Sequence, residues 1–235
     1  MTRARWVAVA LFVGVASFVG VAEIAALGRT LYPADWIWRL DPLREQYIAL
    51  AGVTDPHGAE RPKVVARLDA RYARHPWLTR SHTILGGTFL LLAPLQFAKR
   101  IRDRHRAFHR WSGRVLLGLG TIAGITGLYF GVLVPWAGTF EAVTILLFGS
   151  FFFVAGVKAF AAIRRGDVAT HRRWMIRAMA IPLGAGSVRV VGLPIDVALT
   201  PTGLGPEIGF VVSVWVGWLL TVGAAELWIA RTRPG

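Results

Sequence analysis

The sequence has no cysteine. Disulfides, thiolate metal sites and cysteine nucleophiles are therefore excluded, and a metal would have to be held by histidine or oxygen ligands. Charge is also scarce: 17% of the residues are charged, where a soluble domain carries about 25%. Acid is scarcer still, with 13 Asp and Glu against 27 Lys and Arg. No carboxylate pair falls inside an apolar run, and no His-Glu-x-x-His spacing occurs, so the acid and base that hydrolysis requires are missing. Gly118-Leu119-Gly120 lies within an apolar run and not at a strand-to-helix turn, which removes the phosphate-cradling glycine loop of nucleotide enzymes.

What the chain has is apolar surface in long blocks. Hydrophobic residues make up 54% of its 235 residues, and mean hydropathy is +0.51. They gather into six segments, at residues 6–27, 82–98, 111–136, 140–162, 174–193 and 208–230. A helix rising 1.5 Å per residue needs about 20 apolar residues to cross a hydrocarbon layer of about 30 Å, and the second segment is the shortest. The first follows Arg3 and Arg5 as a secretory signal would, but its apolar run is longer than a signal's and charge placement favours a retained span. The expectation is an all-α integral membrane protein, a six-helix bundle forming a single membrane domain over residues 1–235.

The net charge of +14 does not point to nucleic acid, because the basic residues stand at the ends of apolar runs and form no separate surface. Their distribution gives an orientation. With the N-terminus in the cytoplasm, that side receives Arg3 and Arg5, the run from Lys99 to Arg114, the group from Arg164 to Arg177, and Arg231 and Arg233. The short opposite loops, 135–139 and 194–207, receive no lysine or arginine. Both termini are expected in the cytoplasm of a bacterial cell, in a multi-pass protein of its inner membrane. Residues 28–80 then form a long outer loop of mixed charge. Asp41-Pro42 opens a short helix there, and Val64, Val65, Leu68 and Tyr72 share the apolar face of a second that ends before Pro76.

Two stretches nearly repeat: His109-Arg110-Trp111 with Arg114, and His171-Arg172-Arg173-Trp174 with Arg177. Each enters an apolar segment from the basic side. At 100° per residue, Gly113, Gly120, Gly124, Gly127 and Gly131 fall within about 60° of His109. Ala178, Pro182, Ala185, Gly186 and Arg189 do the same for His171. Two histidine-headed grooves of small residues can hold a flat macrocycle, with His109 and His171 as axial metal ligands and arginines on its propionates. The same grooves can instead let helices touch, with the histidines in a headgroup-binding belt.

On the opposite side, His82 heads a face carrying Gly86, Phe89, Ala93 and Gln96. Arg189 is costly among apolar residues unless it is paired or hydrated, so the bundle interior is its place, with Glu23, Glu141 or Asp196 as partner.

The set Ser81-His82-Thr83, Gly86-Gly87, Pro94-Leu95-Gln96-Phe97, His109-Arg110-Trp111-Ser112-Gly113-Arg114, His171 to Arg177 and Arg189 resembles the family called domain of unknown function 2306. The resemblance runs from about Trp77 to Arg189, with Ala93 where that family's pattern leads one to expect glycine. It implies a multi-span bacterial membrane protein and no particular activity. A looser likeness is to b-type cytochrome membrane bundles, which use paired histidines at both faces.

Two functional expectations follow. In the first, the protein is a redox-type membrane protein binding b-type haem or a quinone. His109 and His171 are the ligands, Arg110, Arg114 and Arg177 clamp anionic groups, and the partners are membrane lipids with a quinone or redox protein. In the alternative, it is a transporter or a lipid- or anion-binding protein whose central polar site is His82 with Arg189.

Overall fold

The structure, a computed structural model, describes residues 74–232. The apolar segment 6–27, the outer loop up to residue 73 with both of its expected short helices, and Arg233 lie outside the described residues. All regular structure within them is helical. In chain order there are α1 (Pro76–Leu92), α2 (Lys99–Arg104), α3 (Arg106–Leu128), α4 (Thr139–Arg164), α5 (Val168–Leu199) and α6 (Pro206–Arg231). Turns of 3-10 helix follow α1 and α5, and a π-helical turn, Tyr129–Leu133, extends α3.

Three of these helices are long and apolar enough to cross a membrane: Arg106–Leu133, Thr139–Arg164 and Glu207–Arg231. A fourth crossing results if Val168–Val188 and Val190–Leu199 are taken as one span bent by 50°. Phe140 is 80% exposed, Val157 69% and Leu133 68%, a distribution that water would penalise and lipid would not. With 17 residues, α1 is about 26 Å long, short of the hydrocarbon thickness.

The helices start and stop where backbone chemistry dictates, which is not always where hydropathy changes. Pro76 takes the first helical position of α1, where its missing N–H is no loss. The helix therefore runs through polar Thr79, Arg80 and Ser81 before reaching His82, where the apolar segment was expected to begin. Its end coincides with Pro94, which cannot continue the ladder. Gly138, at φ 74°, precedes α4, and Gly166, at φ 78°, makes the turn into α5, both in the left-handed region that only glycine enters freely. Asp167 then accepts a 2.9 Å bond from the Thr170 N–H, and those contacts with Thr170 hold its carboxyl below the usual carboxylate range.

The bend in α5 falls between Val188 and Val190. Small residues and Pro182 point to a kinked fifth span, and the position of the bend follows from Pro194. A proline removes the bond to the carbonyl four residues back and its ring crowds that oxygen, which here belongs to Val190.

Helix α5 lies against both α4 and α6, and α1 lies against α3. One core cluster joins Phe89, Leu90 and Ala93 to Leu116 and Met179. Another joins Phe148, Ile181, Val214 and Trp218. The Trp218 indole donates to Ile181 O at 2.7 Å, and that of Trp215 to Thr144 Oγ1 at 2.9 Å, so neither buries an unmet N–H.

Candidate functional site

The alternation of the helices brings four termini to one end: the start of α3, the end of α4, the start of α5 and the end of α6. Helix α2, with Lys99, Arg100, Arg102 and Arg104, lies at the same end. His109 enters there on the first turn of α3 and His171 on the first turn of α5.

The two histidines are anchored differently. His171 Nδ1 is 2.9 Å from Ala159 O. A carbonyl only accepts, so the Nδ1–H is the donor and the Nε2 lone pair is left for other use. His109 Nδ1 is buried and, among the described residues, has no hydrogen-bond partner. The ring is partly withdrawn from solvent, and Arg102 and His171 lie within electrostatic reach of it. Arg102 also acts on Arg172, whose Nη2 donates to Thr232 Oγ1 at 2.8 Å beyond the end of α6. Asp103 touches Arg102 Nε at 3.4 Å, on an exposed rim. His109 and His171 thus lie with Arg102 and Arg172 in a cluster drawn from α2, α3 and α5, in which the two arginines carry the positive charge.

The small-residue face below His109 is occupied by neighbouring side chains. A Cβ on Gly113 would meet Gln96 Oε1 at 3.2 Å. On Gly120 it would meet Phe89 at 2.9 Å, and on Gly124 Phe153 at 2.8 Å. Gly127 receives His82, and Gly131 receives Ile145. These glycines are where α1 and α4 press against α3. Gln96 also donates to Ser112 Oγ at 2.8 Å, which closes the groove immediately below the histidine.

Three arginines of the twin motifs have separate surroundings. Arg110 and Arg114 are exposed, and among the described residues neither forms an ion pair. Arg177 makes a bidentate bond to Glu226 at 2.5 and 2.8 Å. Its guanidinium lies 4.8 Å from the ring centre of Trp174, which Lys158 approaches to 4.5 Å. The charge of Arg177 is therefore met by its own protein.

At the other end, His82 Nδ1 lies 3.0 Å from Ala123 O and 3.2 Å from Thr126 Oγ1. Its ring meets Phe130 edge-on at 6.1 Å, beside the π-helical turn. His82 here joins α1 to α3. Arg189 stands at the bend of α5, and its side chain lies outside the described residues, as do Glu23 and any contact with it. Among the described residues no cluster of three or more His, Cys, Asp or Glu residues is placed to hold a metal ion.

The sequence alone marked Arg102 as an orientation signal, set Arg172, Gln96 and Ser112 in motifs or on the His82 face without giving them a role at the histidines, and did not single out Glu226. For Arg172 a signal existed, since it sits inside one of the twin motifs. For Arg102 and Glu226 there was none, because their significance comes from contacts between helices.

A family model described as a predicted membrane protein (DUF2306) matches residues 79–229. No curated protein and no solved structure matches the chain.

Proposed function

The chain belongs to the DUF2306 family of predicted membrane proteins, and on that premise we propose that it binds the anionic head of a small or membrane-borne ligand at its basic end. His109 and His171 are the contact residues, and Arg102 and Arg172 supply the field. The observation that carries this reading is the buried Nδ1 of His109, which has no hydrogen-bond partner among the described residues and lies within electrostatic reach of the Arg102 guanidinium. A buried polar atom left unpaired costs about 1–3 kcal/mol. An oxyanion supplied by a ligand would meet it and offset the repulsion among the cations. The proposed setting is the bacterial cytoplasmic membrane, with six spans, both termini inside and this end facing the cytoplasm.

A second reading makes the ligand a redox cofactor. It is favoured by His171, whose Nδ1–H donates to Ala159 O, an arrangement that commonly fixes a metal-binding Nε2. In that reading b-type haem would be held by His171 and His109 at the basic end.

A visible spectrum of the purified protein, taken with mass spectrometry of what copurifies, tests both readings. The wild type is expected to carry an anionic species that His109→Ala and His171→Ala each reduce by about tenfold or more, as loss of a charge-assisted hydrogen bond predicts. A phospholipid in the extract identifies a headgroup, and a soluble anion identifies a free ligand. A Soret band that both variants lose identifies haem. Equal amounts of the same species in wild type and variants, or no species at all, overturn the proposal.

A further inference from the structure

A second feature at the basic end lies on the outside of the bundle, between α5 and α6. Here a groove of about 470 Å³ is bounded by Arg173, Arg177 and Glu226 and floored by Gly223, Leu227 and Ala230. Its two halves differ in chemistry. Along α6, Leu220, Gly223, Leu227 and Ala230 recur at three- and four-residue intervals and are all exposed, which makes one continuous apolar track from mid-helix to the basic end. A Cβ on Gly223 would find no atom within 4 Å, so the floor of the groove is open.

The upper edge is cationic. Arg177 is neutralised by Glu226, whereas Arg173 donates one bond, at 2.9 Å, to Thr170 Oγ1 and keeps the other donors of its guanidinium. Asp167 lies within electrostatic reach of Arg173 and of Arg165. Arg231 ends α6 one residue beyond Ala230. The balance at this edge is positive.

We propose that this groove holds one anionic phospholipid of the leaflet at the basic end, with its phosphate on Arg173 and an acyl chain along Gly223 and Leu227. An apolar track that ends in a positive edge at a membrane boundary is complementary to a lipid of that charge. A soluble anion would gain nothing from the track, and a neutral lipid would gain nothing from the edge. The site is separate from the histidine cluster, since it uses the outer face of α5 and α6 and none of the groups around His109.

The test is native mass spectrometry of the full chain with phosphatidylglycerol or phosphatidylethanolamine of equal chain length. The wild type is expected to retain one phosphatidylglycerol in preference by about fivefold, the value of one arginine near an anionic surface. Arg173→Gln should bring the two lipids to parity, and Arg173→Lys should keep most of the preference. Gly223→Leu, whose Cβ would meet no atom within 4 Å, should fill the groove and abolish retention of either lipid there. Should Arg173→Gln fail to fold, shown by lost helicity, Gly223→Leu and Arg173→Lys still decide the matter. His109→Ala is expected to leave this preference intact, which keeps failure here distinct from failure of the histidine site. No lipid preference in the wild type, or an unchanged preference in Gly223→Leu, overturns the proposal.

Discussion

Arg177 stands in the same motif position as Arg114, yet the two residues have different fates. Arg114 is exposed on the side of α3, while Arg177 closes a bidentate pair with Glu226 of α6 and stacks on Trp174. The pair spans α5 and α6, so its contribution is to hold two helices in register. Side-chain exposure is 24% for Arg177 and 47% for Glu226, which keeps the contribution modest. A double-mutant cycle with Arg177→Gln and Glu226→Gln should return a coupling energy of about 0.5–1 kcal/mol in detergent unfolding. A coupling near zero would show the bond to be ornamental. The histidines and arginines of the site were legible as residue types, because the twin motifs set them at the entry of two helices. Their partners were not legible: Glu226 is 49 residues from Arg177, and nothing local in either sequence announces the other.

At the scale of the element, hydropathy located the five longer described helices but not α2, and it misjudged their ends. Helix α5 begins at Val168, six residues before the apolar run at Trp174, because Asp167 receives the Thr170 N–H and polar residues are good helix formers outside the hydrocarbon. The apolar period also concealed what small residues do within a span. Gly184 lies beneath Trp218 and Thr221, and an added Cβ would overlap the indole. That indole cannot swing away without losing its 2.7 Å bond to Ile181 O. Gly184→Ala should therefore destabilise the α5–α6 crossing by about 1–3 kcal/mol, the usual cost of overpacking. Gly118→Ala and Gly156→Ala form the control, since neither new methyl meets an atom within 4 Å. Those two should be neutral or stabilise the chain by up to about 1 kcal/mol through helix propensity. Unfolding in a denaturing detergent ranks all three, and equal effects would refute close packing at Gly184.

For the whole molecule the governing feature is the asymmetry of charge, which is concentrated toward one end of the bundle. The described helices gather most of their basic residues there: Arg102 and Arg104 on α2, Arg164 at the close of α4, Arg172 and Arg173 on α5, and Arg231 on α6. A bilayer reads such an asymmetry as orientation, because lysine and arginine resist translocation. The lack of native cysteine makes the consequence directly measurable, since one introduced thiol is the whole signal. Cysteine placed at Asp103 or Arg165 should resist a membrane-impermeant maleimide in intact cells and react once the membrane is opened. Cysteine at Thr139, the first residue of α4, or at Leu204, in the connection between α5 and α6, should react in intact cells. The reversed pattern would invert the bundle and put the histidine cluster outside. Labelling of all four positions from one side would mean that α3, α4 and α5 do not cross. With the expected pattern, the anion site and the lipid groove both belong to the cytoplasmic leaflet, where anionic lipids and soluble anions of the cell can reach them.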